Sequence, residues 1–318
     1  MAEAAFSEDG KYYSAISQDG RLRIWDTETN VLKQEYTPDL HLTSPPSCLQ
    51  WITVATISNP GQKGKMKSSG TEQEAQCIAV GTTSGKILIY SVAQAKVETV
   101  LQEQHGKVQD RKITCLDWSR KEGLFSCNKS NYICEWKLAT GKCVGTYKIN
   151  IDNKNKGVST ISAMKLIPHS QETSAQYIIT ASWQLRMWRL HNGAATMIKC
   201  LGHNTSKQSL LAVAAANEKT WVIEGSQTER LLSFWDVTVT SEVVPQTNGE
   251  EASPKKKQRK ISISSIEVQT ATIPMYNFVL EDAPKMIDVA VKDEGEVRLT
   301  LAAATRSGVV HYYAHTLN

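Results

Sequence analysis

The stretch Gly20-RLRI-Trp25 decides the fold, because the same pattern returns along the whole chain. In each copy a turn position is followed by a short strand-forming run and, five residues after the turn, by an aromatic residue. The six copies are Gly20-RLRI-Trp25, Gly85-KILI-Tyr90, Asn131-YICE-Trp136, Trp183-QLRM-Trp188, Arg230-LLSF-Trp235 and Gly308-VVHY-Tyr313. Self-similarity at a fixed spacing is the signature of a repeat protein.

Other strand-forming runs surround each copy. A run such as Cys77–Val80 precedes the turn at Gly85 across a short polar link, which is typical of a β-hairpin. A further run lies upstream, as Ile113–Trp118 does, and a fourth often follows the aromatic, as Lys142–Tyr147 does. Four strands per unit are the content of a propeller blade. The sequence therefore predicts an all-β, six-bladed propeller across residues 1–318.

The spacing of the repeat aromatics reveals two insertions. Successive aromatics, at positions 25, 90, 136, 188, 235 and 313, are 65, 46, 52, 47 and 78 residues apart. The two longest intervals each contain a polar segment, at about 58–74 and about 245–272. Without these segments the units average about 45 residues, a length typical of propeller blades. We predict that both segments are mobile loop insertions, since they are too polar to offset the entropy of ordering.

Two stretches inside these segments carry the protein's net charge of +4. Residues 245–262 hold five basic and two acidic residues, or +3, and residues 58–74 hold three and two, or +1, so the remainder sums to zero. Any electrostatic partner is therefore expected at these segments. No apolar run reaches the roughly 18 residues of a membrane span, so we predict no membrane contact. The seven cysteines include no C-x-x-C, which favours reduced thiols in the cytosol or nucleus.

A basic run inside the second segment is the most specific functional signal. Its cations are Lys255, Lys256, Lys257, Arg259 and Lys260. Like charges this close repel one another, so the run stays solvated until an acidic groove or a polyphosphate neutralises it. It is typical of a nuclear import signal or of a salt-dependent contact with RNA, and a loop kept soluble by charge is the third interpretation. Lys63, Lys65 and Lys67 form a weaker patch, for which solubility is the leading interpretation.

The repeat aromatics are predicted to be structural. They are Trp25, Tyr90, Trp136, Trp188, Trp235 and Tyr313. We expect the four tryptophans to be largely buried between adjacent blades, because aromatic side chains bury large areas at such interfaces. They are therefore not expected to form a platform on which RNA bases stack.

Two units carry the residues for which WD repeats are named. Units one and five carry Trp25-Asp26 and Trp235-Asp236, and Gly202-His203 precedes the second pair. The chain therefore resembles the WD-repeat family over nearly its whole length. The match is degenerate, because the Asp that WD repeats place six residues before the Trp is present only as Asp19. We expect no complete Asp-His-Ser-Trp networks, and stability mainly from apolar packing between sheets.

Longer stretches resemble one branch of that family. Asp19–Leu42, Ile78–Ser91 and Ser307–Leu317 are similar to the N-terminal propellers of WD-repeat proteins in the UtpA subcomplex of the small-subunit processome. The resemblance implies a nucleolar, non-catalytic assembly factor for the small ribosomal subunit, linked to pre-rRNA transcription and processing. Its implied partners are protein subunits of a pre-ribosomal complex, with pre-rRNA as a further partner through the basic loops. The alternative is a cytosolic WD-repeat adaptor, such as a ubiquitin-ligase substrate receptor, since a propeller alone does not select its partner.

The sixth unit ends near Tyr313 without an obvious fourth strand. An open sheet edge is a liability that propellers avoid by closing their ring. Either six blades close imperfectly or a seventh lies beyond Asn318. The family resemblance favours the second arrangement, so we expect the chain to be part of a longer protein.

The sequence contains no pattern for catalysis or cofactor binding. Gly81-TTS-Gly85-Lys86 lacks the spacing of a phosphate-binding loop and continues with Ile87 where that motif has Ser or Thr, so it predicts a hairpin turn. The histidines and cysteines have no metal-ligand spacing, and no nucleophile motif is present. We therefore predict no enzyme activity, no cofactor, no metal and no small-molecule substrate.

Overall fold

The structure is a computed structural model. It describes residues 3–17, 19–39, 42–55, 74–102, 110–151, 160–168, 175–182, 184–203, 209–216, 219–226, 228–239, 268–270, 276–293, 297–305 and 310–317. These residues form 24 β-strands in six antiparallel sheets, named A to F here, and contain no helix. The prediction of an all-β, six-bladed propeller is confirmed.

The strands follow one another within each sheet in chain order. Sheet A contains β1 (Glu3–Phe6), β2 (Tyr12–Ile16), β3 (Leu22–Asp26) and β4 (Leu32–Tyr36). Sheet B contains β5 (Pro46–Ala55), β6 (Glu74–Thr82), β7 (Lys86–Ser91) and β8 (Lys96–Gln102). Sheet C contains β9 (Ile113–Ser119), β10 (Gly123–Asn128), β11 (Tyr132–Lys137) and β12 (Lys142–Lys148).

The second half of the chain is less regular. Sheet D contains β13 (Ala163–Leu166), β14 (Gln176–Ala181), β15 (Gln184–His191) and β16 (Ala194–His203). Sheet E contains β17 (Ser209–Ala216), β18 (Lys219–Ser226), β19 (Leu231–Val239), β20 (Val268–Thr270) and β21 (Tyr276–Val279). Sheet F contains β22 (Pro284–Asp293), β23 (Val297–Thr305) and β24 (Val310–Leu317). Both β20 and β21 pair with β19, so two short strands share the outer edge of sheet E.

The hairpin between the second and third strands depends on left-handed turn residues. Gly20, Gly85 and Asn131 occupy the same turn position in sheets A, B and C, with φ of 81°, 86° and 60°. Glycine adopts this conformation without a steric penalty, and asparagine tolerates it better than most residues. The recurring turn residue therefore sets where the third strand of each of these blades begins.

A β-bulge precedes the repeat aromatic in the first four sheets. The register between the third and fourth strands shifts immediately before Trp25, Tyr90, Trp136 and Trp188. A bulge bends the strand and increases its local twist. The aromatic side chains therefore occupy equivalent positions on successive sheets.

Buried apolar clusters lie between consecutive sheets, from the A–B pair to the E–F pair. The aromatics in these clusters are Tyr90 between A and B, Trp136 between B and C, Trp188 between C and D, Trp235 between D and E, and Tyr313 between E and F. Tyr90 and the three tryptophans are at most 6% exposed, whereas Tyr313 is partly buried. Each aromatic thus packs against the sheet that precedes its own.

Trp25 differs from the expected burial. It is only partly buried, and it belongs to none of the clusters among the described residues. Its ring lies 5.8 Å from that of Tyr13, which in turn lies 5.0 Å from that of Phe6. The reason is positional: sheet A comes first in the chain, and no described cluster joins it to sheet F. Among the described residues, no neighbouring sheet covers this row of aromatic rings, whereas the preceding sheet covers each of the other repeat aromatics.

Ser209–Ala216, whose alanine-rich composition is typical of a helix, forms the inner strand of sheet E. The predicted insertions at 58–74 and 245–272 lie mostly outside the described residues. Within them, Glu74 begins β6 and Val268–Thr270 form β20.

Candidate interaction surfaces

The antiparallel order of the strands gives the propeller two distinct faces. The first strand of each sheet joins the second, and the third joins the fourth, at what we call the lower face. The second strand joins the third, and each sheet joins the next, at what we call the upper face. Apart from residues 271–275, which join β20 to β21 on the same side of β19, each connection can therefore be assigned to one face from the strand order.

Both basic segments connect strands at the lower face. Residues 56–73 join β5 to β6, the first two strands of sheet B, and residues 240–267 join β19 to β20 of sheet E. The basic run Lys255, Lys256, Lys257, Arg259 and Lys260 and the weaker patch Lys63, Lys65 and Lys67 all lie outside the described residues. Both segments are therefore attached to the propeller at the same face. The sequence alone did not indicate this.

An ion-pair cluster on the lower face links three sheets beside the first segment. Arg120, in the turn after β9, pairs with Glu8 of sheet A at 3.2 Å and with Glu74 of sheet B at 2.8 Å. The Glu8 carboxylate, together with that of Glu74, raises the pKa of Arg120. All three side chains are solvent-exposed, so the pairs contribute little stability singly. The cluster includes Glu74, the residue at which the chain returns from residues 56–73.

The inner strands carry a second set of polar contacts around the propeller axis. Asp117 of β9 accepts a 2.6 Å hydrogen bond from the Leu166 backbone N–H of β13 and a 2.9 Å bond from the Lys165 ammonium group. Asp117 is buried, and the Lys165 side chain is 30% exposed to solvent. Burial alone would lower the pKa of Lys165, but the Asp117 carboxylate outweighs it and raises that pKa.

Glu3 makes an equivalent contact between sheets A and B. Its carboxylate accepts a 2.6 Å hydrogen bond from the Leu49 backbone N–H of β5. Burial raises the pKa of Glu3 to about 7, although this hydrogen bond and the Lys165 charge act in the opposite direction. Contacts of this kind join strands that are far apart in sequence, so no local pattern could have revealed them. They hold the inner strands at fixed distances and have a structural role.

Asp19, the residue at the usual WD-repeat Asp position, makes local contacts. Its carboxylate accepts hydrogen bonds from the Ser17 hydroxyl and the Arg21 N–H, and it pairs with Arg23 at 3.3 Å. The Ser17 hydrogen bond, followed by the contacts with Arg21 and Arg23, lowers the pKa of Asp19 to about 2. Asp19 therefore stabilises the hairpin turn at Gly20.

The described residues hold no group of three His, Cys, Asp or Glu side chains arranged to bind a metal ion. Within the same part of the chain, no helix has the length and apolar character needed to span a membrane. None of the described cysteines forms a disulfide, and five of them are buried. Burial raises the pKa of Cys77 to about 12, which makes its reactive thiolate form scarce at neutral pH.

The six sheets, their repeated hairpins and the aromatic between each pair of neighbours define a six-bladed β-propeller consistent with WD repeats. Such propellers generally act as non-catalytic scaffolds for contacts between proteins. No protein-family profile matches the chain.

The chain is similar to human WD repeat-containing protein 43, with 28% identity over 333 aligned positions that cover 99% of this chain. It spans only 42% of that protein's length. Rat Elongator complex protein 2 is 28% identical over 30% of this chain and 10% of its own length. An uncharacterized WD repeat-containing protein of Schizosaccharomyces pombe is 22% identical over 42% of this chain and 14% of its own length. The WD-repeat resemblance seen in the sequence is thus confirmed.

Proposed function

We propose that this chain is a non-catalytic scaffold in small ribosomal subunit biogenesis, where it binds other processome proteins and contacts pre-rRNA. The observation that carries the proposal is the alignment of 99% of the chain with human WD repeat-containing protein 43. The other two relatives match less than half of the chain. A propeller supports a scaffold role because its rim and faces offer several separate surfaces to partners.

The basic run supports a nuclear and nucleolar location for this scaffold. We assign nuclear import and RNA contact to Lys255, Lys256, Lys257, Arg259 and Lys260. A cluster of this density matches both an import signal and a phosphate-binding segment, and the second use weakens as salt rises. The connection that contains the run begins and ends on the lower face, which makes that face the expected side for RNA.

A localisation experiment tests the role of the basic run. A tagged chain in which the five cations are replaced by Gln is compared with the wild-type chain and with a control in which Lys63, Lys65 and Lys67 become Gln. We expect the wild type and the control to accumulate in nucleoli and the five-fold variant to remain in the cytosol. Diffuse cytosolic signal for all three proteins would instead favour a cytosolic WD-repeat adaptor.

Import and RNA contact are separated by giving the five-fold variant a foreign import signal. If the run serves import alone, the rescued variant crosslinks to pre-rRNA as the wild type does. If it also contacts RNA, the rescued variant enters the nucleus but crosslinks weakly.

Depletion of the protein tests the pathway itself. We expect mature small-subunit rRNA to fall while large-subunit rRNA stays at its normal level. Re-expression of a depletion-resistant wild-type gene should restore the small-subunit rRNA. Normal levels of both rRNAs after depletion would reject the assignment to small-subunit biogenesis.

A further inference from the structure

A small cleft opens on the upper face between sheets B and C. The exposed residues Ser84, Gln102 and Arg111 border it, and the buried residues Asn128 and Trp136 line its inner part. Ser84 belongs to the β6–β7 turn, and Arg111 to the segment that leads into β9. The cleft lies on the opposite face from the attachment points of the two basic segments, and the scaffold role proposed above assigns it no ligand.

The backbone of Arg111 is held in place while its guanidinium group stays available. A side chain on Gly85 would begin 2.7 Å from the Arg111 Cβ and 2.8 Å from its carbonyl oxygen, so only glycine permits this close approach. The neighbouring carboxylate of Asp110 is already paired with Lys129 at 2.6 Å. Among the described residues, no carboxylate pairs with Arg111. A fixed backbone and an unpaired guanidinium are the conditions for binding an external oxyanion.

Asn128 adds oriented donors inside the cleft. Its side-chain oxygen accepts 3.0 Å hydrogen bonds from the backbone N–H groups of Ser130 and Tyr132. Backbone N–H groups can only donate hydrogen bonds, so the atom that faces them must be the side-chain oxygen of Asn128. This fixes the orientation of the amide and directs its NH₂ group away from the two bonds. No described residue accepts a hydrogen bond from that group. Asn128 is 6% exposed, so a ligand oxygen in the cleft would meet a preorganised donor.

Positive charge surrounds this corner of the molecule. Arg111 lines the cleft, and Lys86, Lys112 and Lys129 each adjoin a lining residue in the chain. Asp110 is the described acid next to Arg111, and it pairs with Lys129. Lys148 lies with its Nζ 4.3 Å from the centre of the Tyr132 ring. This excess of cations attracts an anionic ligand and disfavours a cationic one.

We propose that the cleft between sheets B and C binds an acidic side chain of a partner protein, which inserts its oxyanion between Arg111 and Asn128. The shared chemistry is a terminal oxyanion on a peptide, supplied either by Asp or Glu or by a phosphorylated Ser or Thr. The site extends the scaffold role proposed above and does not depend on the ribosomal pathway.

The shape of the site favours a peptide over RNA. A terminal carboxylate or phosphoryl group can enter a small cleft, whereas a phosphodiester is flanked by a ribose on each side. RNA recognition also uses aromatic faces on which bases stack. The Lys148 ammonium lies over the Tyr132 ring, so that side of the ring is not free for a base.

Fluorescence anisotropy with the purified chain tests the proposal. The probes are labelled peptides of one sequence that carry Ser, phosphoserine or a run of Glu, together with a short single-stranded RNA. We expect binding of the phosphoserine or Glu peptide and none of the Ser peptide. Arg111→Gln should weaken that binding by about tenfold or more, since it removes a charged hydrogen-bond donor. Arg111→Lys should restore only part of it, because the planar fork is lost.

Lys121→Gln is the matched control, because it removes one exposed cation on the lower face. It should leave peptide binding unchanged, and thermal melts should show that all three variants are folded. Tighter binding of phosphoserine than of Glu identifies a phosphorylated partner, and equal binding identifies an acidic one. The proposal is overturned if neither peptide binds, if Lys121→Gln weakens binding as much as Arg111→Gln, or if RNA binds more tightly than either peptide in an Arg111-dependent way. None of these outcomes bears on the rRNA phenotype, so the two proposals can fail separately.

Discussion

The indole nitrogens of the repeat tryptophans show how single residues differ between otherwise equivalent blades. The Trp136 N–H donates a 2.8 Å hydrogen bond to the Ser126 hydroxyl, and the Trp188 N–H donates one of the same length to Thr180. The Trp235 indole N–H is buried and has no acceptor among the described residues. Two blades therefore keep the tryptophan–hydroxyl part of a WD-repeat network, which the degenerate repeat sequence did not lead us to expect.

This difference predicts unequal effects of the same substitution. Trp136→Phe removes the indole N–H and leaves the buried Ser126 hydroxyl without its donor, whereas Trp235→Phe removes an N–H that has no described acceptor. We expect Trp136→Phe to lower the free energy of unfolding by about 1 kcal/mol more than Trp235→Phe does. Urea denaturation of both variants measures the difference, and the change in ring size is common to both. Equal losses would show that the hydrogen bond with Ser126 contributes no net stability.

Glu3 predicts a pH dependence of stability. Its pKa is about 7 in the folded protein, above its ordinary value of 4.5, so the folded state binds this proton more tightly. The resulting stability is fully present below pH 4.5 and is lost as the pH rises through 7. Glu3→Gln keeps an oxygen for the Leu49 N–H but cannot ionise, so it should flatten this loss. Urea denaturation at several pH values checks the slope, and parallel slopes for wild type and variant would contradict the assignment.

At the scale of strands and hairpins, local sequence predicts most of the fold. The turn at Gly85 and the run that follows it specify the β6–β7 hairpin through contacts a few residues apart. The edge of sheet E was not predicted, because β21 begins at Tyr276, far along the chain from its partner β19. The Arg111–Asn128 cleft was missed for the same reason, since its residues come from several strands and turns and share no motif.

The polar connection between β19 and β20 predicts tolerance to shortening. Deleting residues 248–262 should change the free energy of unfolding by less than about 1 kcal/mol, because the entropy of loop closure varies slowly with loop length. Thermal melts of the shortened and the full chain measure the change. Deletion of β20, Val268–Thr270, is the control, and it should cost more because it removes a paired edge strand. A large loss on deleting 248–262 would mean that this segment packs against the propeller.

At the scale of the whole molecule, stability depends on a repeated interface between sheets. Tyr90, Trp136, Trp188 and Trp235 each fill the space between their own sheet and the preceding one. Trp25 occupies the same register in sheet A, after the same β-bulge, but remains partly exposed beside Tyr13. Equivalent residues in the repeat therefore differ in burial, according to whether a neighbouring described sheet packs over them.

This inequality predicts that Trp25→Ala is much milder than Trp136→Ala. Trp136 is 3% exposed, and its replacement leaves a large cavity between sheets B and C, at a cost of about 3–5 kcal/mol. Trp25 packs against its own sheet with part of its surface in solvent, so truncation leaves a smaller cavity, and we expect a loss of about 1–2 kcal/mol. Denaturant unfolding of the two variants measures both losses. Comparable losses would mean that in solution another sheet covers the Phe6–Tyr13–Trp25 row, as the preceding sheet covers each of the other aromatics.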